Sequence, residues 1–252
     1  MGHERLGMLP KTTKWRVIVS KVAACESESN TASNIAEQTL TALGARYSDL
    51  ANDPSVRTAF SFLVEIAQSA ASVEATISIA NKSPLELVSE LARRMRSTTN
   101  GSLETRELVQ RAAADAIVAW RRENSAEQPD LFLGSAPQSR WNELGSGAGF
   151  CEMSRLYFAK LTERYLNYFL DREASAVITD LGAREQFKNR LSDHVSEVSR
   201  HSFESAKITQ SYAAGWFNKN ALGASPSDTQ TKKFLAYAFE KLREEFRREG
   251  KQ

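Results

Sequence analysis

The chain has 252 residues, 41% hydrophobic and 25% charged, with a formal net charge of +2. It is too apolar for a disordered chain, and no run approaches the roughly 20 apolar residues that span a bilayer. The near-neutral balance argues against a dedicated nucleic-acid binder but leaves room for a local basic patch.

Two cysteines, Cys25 and Cys151, lie far apart and form neither a disulfide framework nor a metal-ligand spacing. With no export signal either, a reducing, cytoplasmic setting is expected.

From the N-terminus, Gly2, Gly7 and Pro10 disfavour regular helix, so residues 1–12 read as an extended arm. Thr12 or Thr13 then caps a helix carrying Trp15, Val17, Ile18, Val19 and Val22, whose β-branched cluster leaves a short strand open. Asn30 or Ser33 caps a segment with Ile35, Leu40 and Leu43. Asp53-Pro54 is a cap followed by proline at the first helical position, before Val56, Ala59, Leu63 and Ile66. Ser83-Pro84 repeats that punctuation before Leu85, Leu87, Val88 and Leu91. Asn100-Gly101-Ser102 opens a long helix with Leu108, Ala112, Ala116, Ile117 and Trp120.

Residues 124–149 read as an unpatterned loop rich in glycine, proline and serine, although Leu131, Phe132, Leu133 and Trp141 give it something to pack with. The most apolar helix follows over 150–172, with Phe150, Met153, Leu156, Phe158, Tyr165 and Phe169 spread around much of its circumference. Phe158 and Phe169 are eleven residues apart and share a face. A helix over 184–218, broken near Gly215, comes next, then a loop over 224–228. The last helix carries Phe234, Leu235, Ala238, Phe239, Leu242 and Phe246. The fold expected is all-α: an N-terminal helical half with a basic arm (1–123), a linker (124–149) and a C-terminal helical half (150–252).

Four groups of residues bear on chemistry. Gly145, Gly147 and Gly149 run into a helix start, where exposed amides and the dipole suit an anion. Neither the dinucleotide spacing nor a Gly-Lys-Ser/Thr ending is present, so a hinge that lets the aromatic helix pack is the preferred reading. Cys151, in the first turn of that helix, is a candidate nucleophile with His194 or His201 as base. Its neighbours Phe150 and Met153 favour a packed thiol instead.

His194, Glu197 and His201 fall at i, i+3 and i+7 and share a helical face that could ligate a metal. The segment departs from the zincin spacing, and Leu191 and Val198 on the same stripe favour packing.

The arm with the first helix holds Arg5, Lys11, Lys14, Arg16 and Lys21, five cations against Glu4 as the one acid, with Trp15 among them. Such an arm suits an acidic protein groove or a nucleic-acid backbone. By contrast, Arg93, Arg94, Arg96, Arg106, Arg111, Arg121 and Arg122 are interleaved with acids, as on a solvated face.

The expectation is therefore a non-catalytic interaction subunit of a larger cytoplasmic complex that needs no cofactor. It has a protein partner at Arg5, Lys11, Lys14, Trp15 and Arg16. The alternatives are a nucleic-acid accessory protein using the same arm, or an enzyme built on Cys151 or on the histidines.

Overall fold

In the computed structural model, residues 9–23, 29–72, 82–97, 102–124, 141–203 and 211–249 are described. Every regular element among them is helical: α1 (Thr13–Ala23), α2 (Ser29–Ala42), α3 (Gly44–Asp49), a 3₁₀ turn (Leu50–Asn52), α4 (Pro54–Ala71), α5 (Pro84–Ser97), α6 (Leu103–Glu123), α7 (Trp141–Leu144), α8 (Gly147–Val177), α9 (Leu181–Phe203), α10 (Tyr212–Asn220) and α11 (Asp228–Glu249). The fold is all-α, with no strand among these residues; the β-branched segment at Val17–Val19 is helical. No described helix is long and apolar enough to cross a membrane.

The helix starts follow the capping chemistry. Thr12 Oγ1 accepts from Trp15 N at 3.2 Å. Asp53 accepts from Ser55 N at 2.7 Å, with Pro54 at the first helical position. Ser102 Oγ accepts from Thr105 N at 2.9 Å. Ser83 and Glu86 form a reciprocal box: Glu86 N donates to Ser83 Oγ, and Ser83 N donates back to the Glu86 carboxylate at 2.6 Å. Ser227 and Gln230 repeat this arrangement at α11.

Several boundaries differ from expectation. Ser33 lies inside α2, which starts at Ser29. α8 begins at Gly147 because Ser146 Oγ accepts from Gly149 N at 3.0 Å, and it runs to Val177. α9 ends at Phe203. A separate helix, α10, is capped by Ser211 and passes through Gly215 without a break. Leu85, expected on the apolar stripe of α5, is 74% exposed, while Leu87, Leu91 and Met95 face inward.

α8 is the axis of the assembly. At 1.5 Å per residue its 31 residues extend about 46 Å. Phe150, Met153, Tyr157, Phe158, Leu161, Leu166 and Phe169 are all fully buried along it. α6 and α9 make its most extensive contacts, and α1, α7 and α10 also pack on it.

Polar clips fix the register. Arg164 pairs with Asp115 of α6. Tyr168 donates to Glu104 at 2.8 Å, and Ser199 of α9 donates to the Arg155 carbonyl at 3.0 Å.

Buried side chains from before and after residues 124–149 belong to one continuous cluster. Phe60 of α4 stacks on Phe234 of α11 at 5.0 Å and touches Phe150 and Phe158 of α8. Within 124–149, α7 brings Trp141 onto Trp120 in a stacked pair 5.1 Å apart. Leu131, Phe132 and Leu133 lie outside the described residues.

Candidate functional site

Three regions collect the residues that could carry function. The first is the N-terminal edge. Arg5 lies outside the described residues. Trp15, expected as an exposed anchor, is instead 3% exposed. Together with Ile18 and Val22 it forms the buried i, i+3, i+7 stripe of α1, and its Nε1 donates to Glu173 of α8 at 2.9 Å. That indole is a core residue with a satisfied polar tip.

The apolar residue α1 leaves outside is Val17, 47% exposed. Lys14 and Arg16 flank it on the exposed face, and Lys11 precedes the helix, also exposed. Among the described residues no ion pair engages Lys11, Lys14 or Arg16, whereas Lys21 donates to Asn34 at 2.6 Å. A groove of about 530 Å³ opens at this end of α1. Its walls are Leu9, Pro10, Ala42, Leu43 and Ala45, with Lys11 and Arg46 on its rim. Sequence reasoning missed this groove because it needs the corner between α2 and α3, which no local pattern announces.

The second region is the start of α8. A Cβ on Gly149 would stand 2.1 Å from the Glu143 carbonyl oxygen, and one on Gly145 would stand 2.4 Å from the backbone nitrogen of Ala71. Side chains at these positions would collide with backbone, so Gly145 serves close packing of the turn against the end of α4, and Gly149 close packing of the start of α8 against α7. Gly147 approaches the Asn218 side chain in the same way, at 2.9 Å.

The neighbouring cavity, about 420 Å³, is lined by Asn124, Glu143, Ser146, Cys151, Glu152 and Arg155. Its two carboxylates oppose an anion near the helix start. Burial pushes the Glu152 carboxyl above its ordinary range, and the amide of Asn124, donating at 3.3 Å, offsets this only in part.

Cys151 lies in the second turn of α8 and is 1% exposed. Its Sγ accepts from Ser211 Oγ at 3.0 Å and lies 3.6 Å from the Phe203 carbonyl. Neither histidine hydrogen-bonds to it. His194 sits edge-on to Phe246, and both ring nitrogens of His201 are engaged elsewhere. Neither His194 nor His201 is therefore placed as the base that a nucleophilic Cys151 needs.

The third region is the seam where the C-terminal ends of α9 and α11 lie side by side. His201 Nε2 is 2.9 Å from Glu197 Oε1, and Nδ1 is 3.0 Å from Glu249 Oε1. Glu245, 7% exposed, completes the group: ligand atoms of His201, Glu245 and Glu249 all lie within 4.8 Å of one another. His194 is the member of the expected set that turns away. Desolvation holds its imidazole below the ordinary range, and its Nε2 has no hydrogen-bond partner among the described residues. Glu245 and Glu249 escaped the sequence reading because they sit on the charged face of an amphipathic helix and meet α9 only in three dimensions.

No protein-family model matches this chain, no curated protein matches it in sequence, and no solved structure matches it.

Proposed function

We propose that this chain is a non-catalytic helical interaction subunit that receives an acidic, apolar-tipped segment of a partner protein at its N-terminal edge. The observation that carries this reading is the set of exposed cations Lys11, Lys14 and Arg16, which no ion pair engages among the described residues, beside the apolar groove under Leu9, Pro10, Ala42, Leu43 and Ala45.

Cations without an internal partner raise the local potential and steer an acidic segment inward. An apolar groove then supplies area that desolvates on contact. Val17 extends the apolar surface along α1. The helical body presents this edge rigidly, since Trp15 pins α1 to α8. A reducing cytoplasm suits the buried free thiol of Cys151.

The test uses a fluorescent peptide in which glutamates flank a leucine, with single-stranded DNA as the competing probe. The full-length chain should bind the peptide saturably, with an on-rate that rises as salt falls. Replacing Lys11, Lys14 and Arg16 together by alanine should slow association at low salt by about tenfold or more. Ala45→Glu, at an exposed position on the groove wall, should weaken the complex without changing the fold. Unchanged binding in both variants would reject this edge as the docking surface. DNA binding that displaces the peptide and falls steeply with salt would replace the protein partner with a nucleic acid.

A further inference from the structure

The run Leu131-Phe132-Leu133 has no part in the fold described above. It belongs to residues 125–139, which lie outside the described residues and carry Glu127 and Asp130 with no lysine, arginine or histidine. Two acids followed at once by three large apolar side chains are the chemistry that the N-terminal edge would receive.

The other stretches outside the described residues do not share it. Residues 1–8, which adjoin the groove, balance Glu4 against Arg5. Residues 24–28 hold Glu26 and Glu28 but no large apolar side chain. Residues 73–81 offer Glu74 alone, and residues 204–210 set Lys207 against Glu204. Residues 98–101 and 250–252 contain no acid. Among these stretches, 125–139 alone joins two acids to an uninterrupted apolar run.

We infer that the partner at the N-terminal edge is a second copy of this chain, whose residues 127–133 occupy the groove; this rests on the docking reading of that edge. Glu127 and Asp130 of one copy meet Lys11, Lys14 and Arg16 of the other, cations that no ion pair engages among the described residues. Leu131, Phe132 and Leu133 enter the groove under Leu9, Pro10, Ala42 and Leu43. Its volume of about 530 Å³ falls in the range of pockets that bury a ligand's apolar surface.

Reach favours a second copy over the segment's own groove. Asn124 donates to Glu152 of α8. The groove's near side, beside Tyr47, meets α8 at Thr162, about 15 Å along the axis from Glu152. Its far side, beside Trp15, meets α8 at Glu173, about 31 Å along. A chain running from Asn124 to Leu131 covers at most about 25 Å, before any detour around the intervening helices. The segment's own groove therefore lies at the limit of its tether, whereas the groove of another copy imposes no such limit. In a two-fold arrangement each copy inserts its segment into the other, so the contact is made twice.

The test is sedimentation velocity of the full-length chain over a range of concentrations at low and high salt. Reversible dimers are expected, weaker at high salt. Replacing Leu131, Phe132 and Leu133 together by serine should raise the dimer dissociation constant by about tenfold or more. Two charge-reversed chains make the assignment specific. One carries Glu127→Lys and Asp130→Lys, and the other carries Lys11→Glu, Lys14→Glu and Arg16→Glu. Each alone should be monomeric, because its segment and groove then bear the same sign. Mixed, they should form heterodimers, since both exchanges become complementary again. Circular dichroism should show unchanged helix content in each, as Lys11, Lys14 and Arg16 are exposed.

A wild-type chain that stays monomeric at every concentration would overturn the inference. The glutamate–leucine peptide then separates the two readings: if it still binds through Lys11, Lys14 and Arg16, the edge docks a different protein, and if it does not bind, the docking reading falls as well. Dimers indifferent to these changes, or reversed chains that fail to pair on mixing, would also overturn the inference and place the contact between copies elsewhere.

Discussion

Glu152 shows how burial acts on a single residue. Its carboxyl is pushed above the ordinary value of 4.5, chiefly by burial beside the cavity at the start of α8, with the Glu123 and Glu143 carboxylates adding to the shift. The folded state therefore holds this proton more tightly than the unfolded chain. Between the unfolded and folded pKa values the native state binds more protons, so stability falls as pH rises through that window. Glu152→Gln removes the charge and keeps the shape. The variant should melt at a higher temperature than wild type at pH 7, and the gain should shrink to nothing as pH falls below about 4.5. Parallel thermal melts across pH 3.5 to 7.5 check this, and a gain independent of pH would assign the effect to packing. Nothing in the sequence marked Glu152, because its shift depends on neighbours brought in from α6 and α7. Trp15 was read as a partner contact because of the cations around it; its i, i+3, i+7 spacing with Ile18 and Val22, which the structure buries, was the signal that could have placed it in the core.

At the scale of elements, the capping residues of α1, α4, α5 and α6 were readable because each cap is a local hydrogen bond between residues two or three apart. The starts of α8 and α10 were missed although their caps are equally local: Ser146, which accepts from Gly149 N, sits among glycines that read as loop, and Ser211, which accepts from Ala214 N, lies inside a stretch read as one helix. Gly215 looked like a break and is not one, since a short helix capped by Ser211 carries it.

The glycines now separate by environment rather than by spacing. Gly215 is exposed inside α10, with nothing within 4 Å of a Cβ placed there. Gly215→Ala should therefore stabilise the protein by about 0.5–1 kcal/mol, the usual gain from removing a mid-helix glycine. Gly149→Ala should do the opposite, despite its equally helical position, because its Cβ would meet the Glu143 carbonyl at 2.1 Å. Urea denaturation of the two variants should give shifts of opposite sign. A stabilised Gly149→Ala would mean that the turn before α8 yields without cost.

For the molecule as a whole, the aromatic core decides how the chain unfolds. Phe60 comes from before residues 124–149, while Phe150, Tyr157, Phe158, Trp216 and Phe234, all within 6.1 Å of its ring, come from after them. The glycine- and proline-rich composition of 124–149 suggested two halves, since composition reports where helix patterns stop and not which side chains meet across the gap. An aromatic side chain shared by both segments couples their stabilities.

Phe60→Ala should therefore cost about 3–5 kcal/mol, as expected for emptying a fully buried aromatic site. It should lower the stability of both segments together. The measurement is urea unfolding of wild type and variant followed by two probes. Far-ultraviolet circular dichroism reports on all helices. Tryptophan fluorescence reports on Trp120 and Trp141, which stack between α6 and α7, and on Trp15 and Trp216. In wild type the two transitions should coincide, and in Phe60→Ala both midpoints should move down by the same amount. Two separate transitions in wild type, with Phe60→Ala shifting one of them, would show that the segments on either side of 124–149 unfold independently despite their shared core.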